Sequence, residues 1–266
     1  MSQTVTILLV GDVVGEPGRR AVRKLLPDIR KQHKADLCIV NGENSAGGSG
    51  ITPKIFTELR DAGADVVTTG DHIWDNKEIL PIMVAETKLL RPANFPARAV
   101  GFGSVAVKLL GGPTIAVLNL MGRTFMKDLD CPFQVAERIV SELRRQTPII
   151  IVDMHAETTS EKFALGRFLD GQVSAVIGTH THVQTADEQI FPRGTAFLCD
   201  AGMTGPHDSI LGREIQPIIE RFLTQMPQRF EVAKHGIRLN GAAVNVDAES
   251  GKALNIERIS IPLEPE

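Results

Sequence analysis

His180 and His182 stand one residue apart in the stretch GTHTHVQ, directly after the apolar run VSAVI. An imidazole that leaves water needs hydrogen bonds or a metal in exchange, and a lone H-x-H pattern does not choose between them. The choice sharpens when the polar residues closing the other apolar runs are added. Asp12 follows VTILLVG; Asn41, Glu43 and Asn44 follow ADLCIV; Asp71 and His72 follow ADVVTTG; His155 follows PIIIVDM. Each has an ordinary role when taken alone: Asp12 as a helix cap, Asn44 as a turn residue, His155 as a satisfied polar group beside the core. Four histidines with carboxylates and amides at five run ends point instead to one shared site. Imidazole with carboxylate suits zinc, manganese or iron, and the lack of cysteine at these positions argues against a closed thiolate zinc site. Seven candidate ligands exceed what one catalytic metal takes. Two cations about 3.5 to 4 Å apart, sharing a bridging carboxylate, would use them all and suit a phosphoester.

The elements that must position these residues follow from periodicity. Short β-branched runs (VTILLVGD, ADLCIVNGEN, ADVVTTGDH, TIAVLNL, PIIIVDMH, VSAVIGTHTH, TAFLCDAG) alternate with helical stretches such as GRRAVRKLLPDIRKQH and PFQVAERIVSELRRQ. This is an α/β rhythm, and near-continuous apolar strands are those covered on both faces. In such sheets the ligand crevice lies beyond the carboxyl ends of the strands, so five loops deliver the candidate ligands to one edge. From QRFEVAKHG to ISIPL the pattern changes to three strands with turns at HG and ESG, an antiparallel edge to a sheet.

Composition sets outer limits. The chain of 266 residues is 42% hydrophobic, long enough for a large core, and reads as one domain over 1–266. A net charge of −3 offers no basic footprint for a stable nucleic-acid complex, yet a local cation can still attract a small nucleotide. Cys38, Cys131 and Cys199 read as free thiols of a reducing cytoplasm. MSQTVTILLVGDVVG reads as a first strand and not a signal peptide, and no run approaches the roughly eighteen apolar residues of a membrane span. A cytoplasmic protein is expected, with homo-oligomerisation left open.

GDVVG, NGEN, GDHIWD, DMHAETTSEK and GTHTHVQTAD, in this order, together with RPANFP, GRTF and GMTGPHDSILG, resemble the calcineurin-like metallophosphoesterases. The likeness is closest to their bacterial YmdB-like branch of cyclic-nucleotide phosphodiesterases. The resemblance implies a four-layer α/β/β/α sandwich and two metal ions, iron or manganese with zinc as a further fit. It implies hydrolysis of a small phosphodiester, a 2′,3′-cyclic nucleotide with 3′,5′-cyclic AMP as second candidate, by a metal-bridging hydroxide. By the same resemblance one metal takes Asp12, Glu43, Asn44 and His182, the other Glu43, Asp71, His155 and His180, and His72 protonates the leaving oxygen. Two positions depart from the superfamily pattern. Val14 stands where D-x-H has histidine, a gap that Asn44 fills in the YmdB-like branch. Asp71 stands where G-N-H has asparagine, which adds negative charge facing an anionic substrate and should weaken its binding unless the metals are more highly charged or the carboxyl is protonated.

Other features carry less. NGENSAGGSG lacks the Walker lysine and reads as a flexible metal-bearing loop. Arg91 and Arg123 suit either a phosphate or base contact or a structural pairing, GMTGPHDSILG a loop near the site, His207 a loop residue, and His33 and His235 the surface. Two readings from other classes stand beside the main one. The first is a regulatory metal protein that senses a nucleotide or RNA fragment with little turnover. The second is a mononuclear amidohydrolase, against which the late H-x-H and early Asp12 argue.

Overall fold

The computed structural model describes residues 3–264. Its first half-sheet alternates β1 (Thr4–Val10), α1 (Gly15–His33), β2 (Leu37–Asn41), α2 (Pro53–Asp61) and β3 (Val66–Thr68), followed by a 3-10 turn at Lys77–Ile79 and α3 (Leu80–Ala85). Next come β4 (Ser104–Lys108), β5 (Thr114–Met121), α4 (Pro132–Leu143), β6 (Ile150–His155), α5 (Thr159–Phe168), β7 (Ala175–Thr179), β8 (Gln189–Ile190) and β9 (Ala196–Leu198). The chain closes with β10 (Gly205–Pro206), α6 (Ile215–Thr224), β11 (Ile237–Asp247) and β12 (Ala253–Pro262).

Two mixed sheets result. One has the order β10-β11-β1-β2-β3 with β12 paired to β11, and the other β4-β5-β6-β7-β9-β8. Strands β1, β2 and β3 run parallel, as do β5, β6, β7 and β9, so their carboxyl ends share a direction within each sheet. All seven runs expected as strands form them. The helices obey the same local chemistry. Thr52 Oγ accepts the Ile55 N–H at 3.3 Å and caps α2, with Pro53 at its first turn. The last turn of α1 carries Arg30, Lys31 and His33, which suits the negative end of the helix dipole.

The C-terminal expectation needs correcting: two long strands stand where three were read. β11 and β12 form one antiparallel hairpin, and the segment QRFEVAK makes only an isolated bridge from Val232 to Arg213. Arg229, Phe230 and Glu231 are all exposed, so those three residues have no buried face to hold them in a sheet. β11 is interior, lying between β12 and β1, and of the two only β12 borders an edge of the sheet.

Side-chain alternation explains how the strands end at a site. Val5, Ile7 and Leu9 of β1, with Leu37, Ile39 and Val66, join Val117, Ile151 and Ile177 of the other sheet in one apolar cluster. The alternate residues Leu8, Val10 and Val40 pack with Ala21, Val22 and Leu26 of α1, while Leu118, Val152 and Val176 pack with α4 and α5. Residues two apart on a strand share a face. Asn41, Thr68, Asn119, Asp153 and Thr179 therefore continue the face that joins the sheets, one step past its apolar part, and all five are fully buried.

Candidate metal centre

Those buried polar residues bond to one another across the two sheets. Asp153 Oδ2 accepts from Asn41 Nδ2 at 3.0 Å and from the Thr68 hydroxyl, and Asp153 Oδ1 accepts from the Thr179 hydroxyl at 2.7 Å. Burial pushes the Asp153 carboxyl up, against the pull of these donors and of His155. The Thr179 hydroxyl has one proton, already given to Asp153, so toward His155 Nδ1 at 2.9 Å it accepts. His155 thus carries a proton on Nδ1 and turns Nε2 toward the next layer of residues.

That layer is the cluster. His155 Nε2 lies 3.0 Å from Glu43 Oε1, 3.4 Å from Asp71 Oδ1 and 3.0 Å from His180 Nδ1. One ligand atom from each of Glu43, Asp71, His155 and His180 falls within 4.8 Å of the others. His180 is oriented from behind as well: its Nε2 meets Glu157 Oε2 at 3.1 Å, leaving Nδ1 for the cluster. His182 repeats the arrangement, with Nδ1 3.1 Å from the Leu211 carbonyl and Nε2 3.3 Å from Asn44 Oδ1. Partners of this kind fix the tautomer and direction of metal-ligating imidazoles.

Asp12 is fully buried beside them. Its Oδ2 accepts the His180 N–H at 3.1 Å, and its Oδ1 lies 3.8 Å from His155 Nδ1. Both Asp12 Oδ1 and Asp71 Oδ1 are buried without a hydrogen-bond partner, a costly state for a carboxylate oxygen and a fitting one for a cation ligand. Gly70 is what lets the cluster close, because a Cβ there would sit 2.1 Å from Glu43 Oε2 and 2.2 Å from His155 Nε2.

The electrostatics agree. Burial pulls the His155 pKa down, yet Glu43, Asp71 and Asp12 raise it by more, to well above an ordinary imidazole. Without a metal a proton takes the place of the cation, and a divalent ion must displace it. Burial raises Glu43 and Asp71, but the nearby positive charge of His155 outweighs it and holds both below their usual range. Asp71 is therefore ionised, and protonation does not relieve its extra charge. Burial pushes Asp12 up to about 6 against the opposing pull of His182 and His155. Burial and the His155 charge drive His180 down to about 4, leaving it neutral and free to ligate.

His72 stands at the mouth with its side chain 39% exposed, its Nε2 3.9 Å from Asp71 Oδ2. Its Nδ1 is held by Asp75 Oδ2 at 2.9 Å and Ser49 Oγ at 3.2 Å, so Nε2 is the free nitrogen. The structure brings Glu43, Asp71, His155 and His180 into one cluster and sets Asp12, Asn44, His182 and His72 around it. The glycine-rich loop is tied down: the Arg213 guanidinium reaches the Gly48 carbonyl at 2.5 Å, and Asn44 Nδ2 the same carbonyl at 3.4 Å. Arg91 is structural, donating to the carbonyls of Pro92, Val100 and Ala99. Arg123 is exposed, its backbone N–H bound to Glu161. His207 bonds Gly205 and Asn240 outside the cluster, His33 pairs with Glu257, and His235 is exposed.

Asp153, Thr179 and Glu157 are site residues that the sequence reading passed over. A signal existed for Asp153, which lies two residues before His155 and so on the same strand face. Nothing in the sequence ties Glu157 to His180.

Residues 8–259 match the family model described as YmdB-like protein. A Bacillus subtilis (strain 168) protein named 2′,3′-cyclic-nucleotide 2′-phosphodiesterase is 49% identical over 255 residues, 96% of this chain and 96% of its own. A crystal structure of a hypothetical protein from Thermus thermophilus superposes with a TM-score of 0.91 at 41% identity, covering 98% of this chain and 100% of that one. A crystal structure from Mycoplasma pneumoniae, described as a novel phosphatase, gives a TM-score of 0.92 at 35% identity over 98% and 95% of the two chains. By the family match and the full-length relatives together, the chain belongs to the YmdB-like protein family.

Proposed function

We propose that this protein is a metallophosphoesterase that hydrolyses cyclic-nucleotide phosphodiesters, 2′,3′-cyclic nucleotides first and 3′,5′-cyclic AMP second, with two bound cations. The observation that carries the reading is the convergence of Glu43, Asp71, His155 and His180 within 4.8 Å, with the imidazole nitrogens of His155 and His180 turned inward by their outer partners. The name of the Bacillus relative supplies the substrate class. Glu43, Asp71, His155 and His180 hold one cation, and Asp12, Asn44 and His182 with Glu43 hold the other; the mixed nitrogen and oxygen donors favour iron or manganese and also fit zinc. When bound, such a pair supplies Lewis acidity toward phosphoryl oxygens and lowers the pKa of water. His72, its Nδ1 anchored on Asp75, presents Nε2 to protonate the departing alkoxide.

The same reading takes residues 1–266 as one domain whose three apolar clusters stack as a four-layer α/β/β/α sandwich. It places the protein in the cytoplasm, for which the three free cysteines are the support. Among the described residues no helix is long and apolar enough to cross a membrane.

Elemental analysis of the purified protein and assay with 2′,3′-cyclic AMP and bis(p-nitrophenyl) phosphate test the function together. Two metals per chain and turnover that His155→Ala abolishes are expected. Metal-replete protein that cleaves neither ester, with His155→Ala indistinguishable from it, overturns the proposal.

A further inference from the structure

His180 and His182 both have backbone φ in the left-handed region, 96° and 67°. Side-chain-bearing residues are uncommon there and persist only where the surroundings over-determine them. Thr181, between them, is what the surroundings grip. Its backbone N–H and its hydroxyl both donate to Asp200 Oδ2, at 3.1 and 2.7 Å. The same oxygen receives Lys162 Nζ at 2.7 Å, and Asp200 Oδ1 receives the Gly202 N–H at 2.8 Å. Lys162 and Asp200 are both 0% exposed.

The flanks of the turn are fastened to the same segment. Ala201 N–H donates to the Gly178 carbonyl at 2.8 Å, and Met203 N–H to the His182 carbonyl at 3.0 Å. Gly178 permits this approach, since a Cβ there would lie 1.8 Å from the Cys199 carbonyl oxygen. A buried ion pair adds little stability over an apolar pair of similar volume, while a carboxylate alone at this depth would be strongly penalised. Lys162 thus makes it possible for a charged, multiply accepting oxygen to sit under Thr181.

We propose that the Lys162–Asp200 pair is the positioning device of the metal centre, gripping Thr181 and so setting His180 and His182, one histidine for each cation. The inference rests on the metal reading above and adds residues that touch neither cation nor substrate. Because one anchor serves both histidines, loosening it weakens both cation sites together.

Mn2+ binding to the chelator-treated full-length protein, followed by electron paramagnetic resonance, is the test. Asp200→Asn keeps the shape but leaves Lys162 with a neutral partner, and Thr181→Val removes one donor to Asp200 while keeping both members of the buried pair. Both are expected to weaken Mn2+ binding at both sites, by about 10- to 100-fold as for other residues that orient metal ligands. Thr181→Ser is expected to bind as the parent does. Hydrogen exchange across 180–182 in metal-free Thr181→Val should rise about tenfold, as for a locally loosened turn. Val140→Ala, on the buried face of α4, supplies a destabilised control that should bind Mn2+ normally. If Asp200→Asn does not fold, the Thr181 pair decides. Parent affinity at both sites in Thr181→Val, or an equal loss in Val140→Ala, overturns the clamp while the metal reading stands. Parent protein that takes up no Mn2+ overturns the metal reading itself.

Discussion

Thr179→Val tests the buried network that aims His155. Valine matches threonine in shape and favours strands, so the change in β7 is close to the deletion of one hydroxyl. That hydroxyl donates to Asp153 Oδ1 at 2.7 Å and accepts from His155 Nδ1 at 2.9 Å, with all three residues fully buried. Its loss leaves one acceptor and one donor short of a partner. Each such group costs about 1–3 kcal/mol, so the metal-free protein should lose about 2–6 kcal/mol. That is a large share of a typical total of about 5–15 kcal/mol. The same loss releases the His155 tautomer and ring direction, for which a roughly 10- to 100-fold weaker Mn2+ affinity is expected. Urea unfolding of chelated protein reads the first effect and Mn2+ titration the second. Thr179→Ser, which keeps the hydroxyl, should retain Mn2+ affinity. A valine variant within about 0.5 kcal/mol of the parent, the scatter of a neutral substitution, and with unchanged Mn2+ affinity would refute the reasoning.

Other outcomes follow from the same geometry. Gly70→Ala forces a methyl onto Glu43 and His155, so metal content should fall below one ion per chain while far-UV circular dichroism stays that of the parent; full metal loading would contradict the closeness of the cluster. Asp71→Asn restores the G-N-H pattern and removes a charge 3.4 Å from His155 Nε2, an interaction of about 5 kcal/mol at an effective dielectric near 20 and about 1 in bulk water. It should lower the His155 pKa in metal-free protein, read by NMR titration, and change the metal preference; no change in either would show the charge to be inert. Burial holds Asp12 up at about 6, so proton and cation compete there: Mn2+ affinity should climb as pH rises through 6, and a flat profile from pH 5 to 8 would count against Asp12 as a ligand. Burial pushes Cys38 to about 12 and Cys199 to about 11, so at pH 8 iodoacetamide should label only half-buried Cys131, and all three after unfolding.

What was legible in the sequence is what short-range chemistry writes there. β1, β2, β3, β6 and β7 are buried on both faces, so each appears as a continuous apolar run, and each ligand stands out as a polar residue that follows one. The QRFEVAK stretch was misread because alternation of polar and apolar residues suits a half-buried strand, yet Phe230 is itself exposed and no neighbouring strand offers its edge. The supports of the site are harder to see for a different reason. Asp153 and Thr179 are written inside apolar runs, where a single polar residue looks like a strand end, and their meaning depends on Asn41 and Thr68 from the other sheet. Lys162 and Asp200 are 38 residues apart and share no periodicity. A ligand set can be recognised one loop at a time, because each loop must place its own donor. The residues that aim those donors act in pairs drawn from different elements, and only the tertiary packing of those elements brings such pairs together.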